Sequence, residues 1–158
     1  MVILRLTKKL LRLVGEPTIP VETSTTRLGD WTGNLFYVGR QRYVLLICEH
    51  SRLPVLMPGR DLRRLPQNFP GALSEVLFGL GVPAEAVCEE VAAASSAVLA
   101  PTNNRSLLGT LNDFSYMVSY RLARQETDLV QEALWLSGTP VRPLGPDRPR
   151  DIVHRLLG

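Results

Sequence analysis

At 158 residues, 45% hydrophobic and 21% charged, the chain has the composition of one ordinary folded domain, long enough to bury about two-thirds of the surface its unfolded form exposes. Two cysteines exclude a disulfide framework and suit a reducing cytoplasm, no apolar run approaches the roughly 18 residues of a membrane span, and 12 Gly with 12 Pro indicate many loops rather than disorder. Eighteen Lys and Arg against 15 Asp and Glu leave a formal charge of +3, a tilt toward anionic partners.

The opening "VILRL" reads as a short strand ending at Thr7, whose hydroxyl is expected to cap the helix "KKLLRLV" before Gly15 stops it. Arg5, Lys8 and Lys9 interrupt this apolar start, so no signal-peptide core is expected. Residues 16–26, with two prolines and a Ser/Thr cluster, read as a surface loop. "NLFYVG" and "YVLLICEH" flank "RQR" as a hairpin, and "LPVLMPG" follows a turn at His50–Arg52 as a third strand. Strand alternation places Tyr43, Leu45, Ile47 and Glu49 on one face and Val44, Leu46, Cys48 and His50 on the other, so both faces are expected to be covered. After Pro66 the period becomes helical. Residues 69–81 and 83–95 form two helices, "AVLAP" adds a short strand, and residues 104–124 form a long helix. "TDLVQEALWLSG" makes another, with Thr127 as cap and Gly138 as stop. A Pro-rich connection leads to a short amphipathic helix at Ile152–Leu157.

These elements predict an α+β fold: a small, mainly antiparallel sheet, made of the N-terminal strand and a three-stranded meander, packed with five or six helices. Residues 1–143 form a single domain, with 144–158 as a connection and helix packed on it or extending from it.

The long helix holds the first candidate site. At about 100° per residue, Leu107, Leu111, Phe114, Val118 and Leu122 form an apolar stripe, while Arg105, Gly109, Asn112 and Tyr116 share a nearly uncharged wedge opposite, flanked by Asp113. A mid-helix glycine costs about 0.5–1 kcal/mol relative to alanine, which predicts that something packs close to Gly109. A guanidinium, an amide and a phenol around it suit a phosphate or carboxylate, and Asn103 and Asn104 stand at the helix start where free N–H groups favour an anion. In the structural alternative, Arg105 and Asn112 satisfy carbonyls of the loop "EPTIPVETSTTRLGDW" folded across them.

"RLGDWTGNLF" is the second distinctive stretch. Gly-Asp-Trp is a turn signature, with Asp30 capping the turn and Trp31 covering the sheet edge. Were Asp30 to meet Glu49 or Asp113, the carboxylates could bind Mg²⁺ or divide acid and base roles, with His50 as a further candidate. A zinc site of Cys48, His50, Cys88 and His154 lacks paired spacing, and a Cys48–His50 nucleophile pair lacks a group to orient its base. No resident cofactor or metal is therefore expected unless the protein is a Mg²⁺-dependent hydrolase.

"LRLTKKLL", "TRLGDWTGNLF" and "NRSLLGTLNDF" together resemble a group of bacterial proteins gathered as a domain of unknown function, over most of the chain to about Pro143. The resemblance implies a bacterial, cytoplasmic protein, with no established activity and no catalytic residue to transfer.

Three functions follow. The first is a binding module for an anionic ligand, nucleic acid or nucleotide. Its pocket is shaped by Trp31, Asn104, Arg105, Asn112 and Tyr116, and its phosphates are held by basic clusters at Arg5–Arg12, Arg60–Arg64 and Arg142–Arg155. The second is a small phosphate-ester hydrolase or nuclease using Asp30, Glu49, His50 or Asp113. The third is a protein-interaction partner of inhibitor or antitoxin type, with a large apolar patch.

Overall fold

The computed structural model describes residues 1–18, 23–124 and 128–158. The strands are β1 (Val2–Leu6), β2 (Trp31–Val38), β3 (Gln41–Cys48), β4 (Pro54–Pro58) and β5 (Ala97–Pro101). The helices are α1 (Lys8–Val14), α2 (Leu65–Gly79), α3 (Ala84–Ala94), α4 (Arg105–Leu122), α5 (Leu129–Ser137) and α6 (Pro149–Leu157). One sheet in the order β4-β3-β2-β1-β5 carries helices on both faces, an α+β architecture.

The antiparallel part is the meander β2-β3-β4, and its longest ladder runs from Trp31 opposite Cys48 to Val38 opposite Gln41. That register leaves only Gly39 and Arg40 as the hairpin loop, so the turn takes in just the first residue of the "RQR" stretch, and Gln41 and Arg42 belong to β3. Gly39 holds φ 60°, which a two-residue loop asks of its first position and glycine adopts without a Cβ clash. β1 lies parallel to both β2 and β5. Parallel neighbours need crossovers, and α1 supplies one while α2 and α3 supply the other.

Register puts Leu4, Leu6, Trp31, Leu46, Cys48 and Val55 on one face and Ile3, Leu45, Ile47 and Leu56 on the other, and all of them are buried. The expectation that both faces are covered holds. α2 closes the first face, where the Trp31 and Phe69 rings meet edge-on with centroids 5.1 Å apart. α1 lies on the same face, with Leu99 against Gly15. α4 packs along β2 and β3 and covers the second face with the apolar stripe foreseen for it. Leu107, Leu111, Phe114 and Val118 are buried there, each contributing roughly 1.5–3 kcal/mol of transfer free energy.

Three local readings change, and a fourth is left untested. Thr7 stands at the start of α1, but its hydroxyl donates to Asn34 Oδ1 at 2.6 Å instead of capping the helix. α2 begins at Leu65 and runs through Pro70, because the apolar residues Leu65, Phe69 and Leu73 bury one continuous face and offset the lost backbone bond. The Thr127 cap lies outside the described residues; at α5 Asp128 accepts from Val130 N at 2.9 Å. α6 starts at Pro149, three residues earlier than read, and buries Val153 and Leu157 in the common core. Among the described residues no helix is long and apolar enough to cross a membrane.

Candidate functional site

The segment before β2 is pinned by charge. Glu90 of α3 is buried, and its carboxylate accepts from Arg27 N at 2.9 Å and Leu28 N at 3.0 Å. Asp30 accepts from Arg5 Nε at 3.0 Å on one oxygen and from Ser24 Oγ at 2.6 Å on the other. Its carboxylate is thereby tied to β1 and the preceding loop rather than capping its own turn. Trp31 does not cover an edge. It begins an interior strand opposite Cys48 and is fully buried against α2, which removes it from any solvent-open pocket.

The β3–β4 turn lies beside this segment, with Glu49 N donating to Asp30 O at 2.9 Å and the His50 ring next to Gly29. Cys48 faces the core and its thiol donates to Leu28 O at 3.0 Å, whereas His50 is exposed. Burial pushes the Cys48 thiol pKa up, outweighing its hydrogen bonds with Ser51 and His50. A Cys48–His50 nucleophile pair is therefore not formed. Among the described residues no three His, Cys, Asp or Glu side chains converge as metal ligands. Neither the zinc set Cys48, His50, Cys88 and His154 nor a cluster of Asp30, Glu49 and Asp113 is assembled.

On α4, Asn104 acts as expected of a helix start: its Oδ1 accepts from Ser106 N at 2.9 Å and Leu107 N at 3.2 Å. The wedge of Arg105, Gly109, Asn112 and Tyr116 is open to solvent, with Tyr116 80% exposed. Among the described residues a Cβ built on Gly109 meets nothing within 4 Å, so none of them packs closely there as expected. The described residues of the long loop do not cover the wedge either. Where described, the loop is bonded to the β1–β5 side of the sheet, through Thr18 N to Leu99 O, Ile3 N to Ser24 Oγ and Thr25 N to Met1 O. Unpaired backbone groups at the start of β1 and along edge strand β5 capture it first. Asp113 and Tyr116 line a separate hollow of about 380 Å³ with Met117 and Arg142.

The two sequence motifs are linked by a residue that sequence reading passed over. Arg52, in the turn beside Asp30, reaches the first turn of α4, where its Nη2 donates to Ser106 Oγ at 3.2 Å. It holds φ 63°, unusual for a side chain of its size, and is only 8% exposed. Among the described residues its buried Nε and Nη1 have no acceptor, and no carboxylate lies within ion-pair distance of it. Burial lowers its pKa against the opposing influence of Cys48 and Glu49.

At the opposite end of the sheet two of the three basic clusters merge. Lys8 and Arg12 of α1 share a hollow of about 490 Å³ with Arg63, and Arg40, Arg42 and Arg60 share another of about 460 Å³ with Tyr43. Between α1 and the hairpin, Lys9 Nζ sits 4.5 Å from the centre of the half-exposed Tyr37 ring. Among the described residues Lys8, Arg12, Arg40, Arg60 and Arg63 form no ion pair. Arg5, counted with the first cluster, turns inward to Asp30 instead. The third cluster is partly neutralised, since Arg155 pairs with Asp147 at 2.6 Å and holds that carboxyl below its usual range. A further groove, of about 420 Å³ between β4, α2 and α5, has an apolar floor that includes Leu56, Leu65 and Val76, with Asp61, Glu75 and Asp128 among its polar lining.

No curated protein and no solved structure matches the chain. Residues 3–152 match a family described as a domain of unknown function (DUF6933), and the chain belongs to that family.

Proposed function

We propose that the protein is a binding module for an anionic ligand, with nucleic acid the class that fits best. The observation that carries this reading is the meeting of the α1 and β4–α2 basic clusters, with Lys8, Arg12 and Arg63 in one hollow, beside which Arg60, of the same chain region as Arg63, shares a second hollow with Arg40 and Arg42. Cations strung from helix to hairpin suit the repeated phosphates of a polymer better than the compact group of a free nucleotide. Tyr37, half-exposed under Lys9, offers a ring on which a base can stack. An ordinary solvated face would interleave carboxylates with these cations, and among the described residues only Glu16 joins the first hollow and none joins the second. Two free cysteines support a reducing, cytoplasmic setting.

Fluorescence anisotropy of a short labelled single-stranded oligonucleotide tests the proposal. With four phosphates neutralised, affinity falls about 50-fold between 50 and 200 mM salt. The double variant Arg40→Glu, Arg63→Glu is expected to weaken binding at least tenfold at low salt, while Arg150→Glu in α6 leaves it nearly unchanged. Absence of binding at 50 mM salt, or binding indifferent to salt and to the double variant, would overturn it.

A further inference from the structure

A second anion site, independent of the basic strip, lies at the other end of β3. Antiparallel strands place the Gly39–Arg40 hairpin and the Arg52 turn at opposite ends, about 25 Å apart along the eight residues of β3. We infer that Arg52 and the first turn of α4 form a binding site for the phosphoryl group of a small ligand.

Three observations converge on this. First, Arg52 is more than nine-tenths buried as a residue and its guanidinium uses only Nη2, toward Ser106 Oγ, leaving the buried Nε and Nη1 without acceptors among the described residues. A buried cation with no carboxylate within ion-pair distance among the described residues is an unfavourable arrangement for a fold to keep, and Glu49 acts on it only from farther away. Second, the side chain it touches belongs to the start of an 18-residue helix, where aligned peptide dipoles add positive potential. Asn104 already satisfies Ser106 N and Leu107 N, but Arg105 N has no acceptor among the described residues. The exposed Arg105 guanidinium stands at the same turn. Third, the turn holds Arg52 in the left-handed region, where glycine would sit without strain, through Arg52 N to Cys48 O at 3.0 Å and Cys48 N to Leu53 O at 2.9 Å. The backbone strain and the unanswered charge both serve to present this guanidinium to α4.

The donors fit a phosphoryl group. Ser106, the residue that Nη2 of Arg52 touches, is itself exposed, and the bond between them is part-buried. An entering oxyanion takes the place of Ser106 Oγ as acceptor for the guanidinium, and the hydroxyl turns to donate to it. Arg105 N and its guanidinium supply the remaining donors. A phosphoryl group offers three oxygens to this set, whereas a carboxylate offers two.

Thermal unfolding in inorganic phosphate, against chloride and acetate at matched ionic strength, tests the inference. At phosphate tenfold above its Kd the native chain is expected to gain about 4 °C, with a smaller gain in acetate. Arg52→Gln abolishes the gain. Ser106→Glu, which places a carboxylate on the same helix turn, raises the midpoint without phosphate and also abolishes the response. That second variant carries the test if Arg52→Gln folds poorly. The Arg40→Glu, Arg63→Glu double variant keeps the full gain, so failure of the polyanion proposal and failure of this one are distinguishable. A gain that survives Ser106→Glu, disappears with the double variant or is matched by acetate overturns the assignment, as does the absence of any gain.

Discussion

Glu90 and Arg52 are both charged groups shut inside the fold, at 1% and 8% exposure, yet they are treated in opposite ways. Glu90 is answered on both oxygens by consecutive backbone N–H groups, which ties α3 to the segment entering β2. Among the described residues Arg52 is answered once, by a neutral hydroxyl on an exposed residue, and two of its nitrogens have no acceptor. A buried charge whose hydrogen bonds are met within the chain holds the fold together. One left unmet among the described residues, on a strained backbone beside a helix start, is the place where the proposed phosphoryl ligand would answer it.

The contrast breaks first at Glu90. Glu90→Ala strands Arg27 N and Leu28 N and removes two charge-assisted bonds, so the expected loss is about 3 kcal/mol, or about 10 °C in midpoint. Urea unfolding measures it, and a loss under about 1 kcal/mol would reduce Glu90 to a bystander. Arg52→Gln, in the absence of phosphate, is expected to change stability by less than about 1 kcal/mol in either direction, because the lost bond to Ser106 is offset by removal of an uncompensated charge. A cost equal to that of Glu90→Ala would make Arg52 a structural tie and erase the distinction.

Regular elements were legible in the sequence because periodicity is a local property. The meander, the α4 stripe and the Asn104 start all follow from spacing. Partners across the chain were not legible. Nothing local announces that Asp30 pairs with Arg5, or that Glu90 reaches back more than sixty residues to Leu28. Trp31 was misplaced because glycines at 29 and 33 resemble a turn, while the register that sends it inward opposite Cys48 is set by β3. Arg52 left no signal, since a left-handed turn residue is ordinarily foreshadowed by Gly, Asn or Asp. The basic clusters were visible as clusters. Only the packing of α1 against the turn that carries Arg63 brings two of them together.

Gly109 sharpens the comparison at the smallest scale, because it lies one helical turn beyond Arg105 on the same open face. Among the described residues a Cβ there meets nothing within 4 Å, and the residue sits inside a regular helix, so Gly109→Ala is expected to add about 0.5–1 kcal/mol. Chemical denaturation reads this gain. The added methyl also serves as a probe of where the phosphoryl ligand ends. An unchanged phosphate response confines the ligand to Arg52 and the first turn of α4. A weakened response at raised stability places it against the Gly109 backbone as well, and a loss of stability would mean that some part of the chain does pack on this glycine.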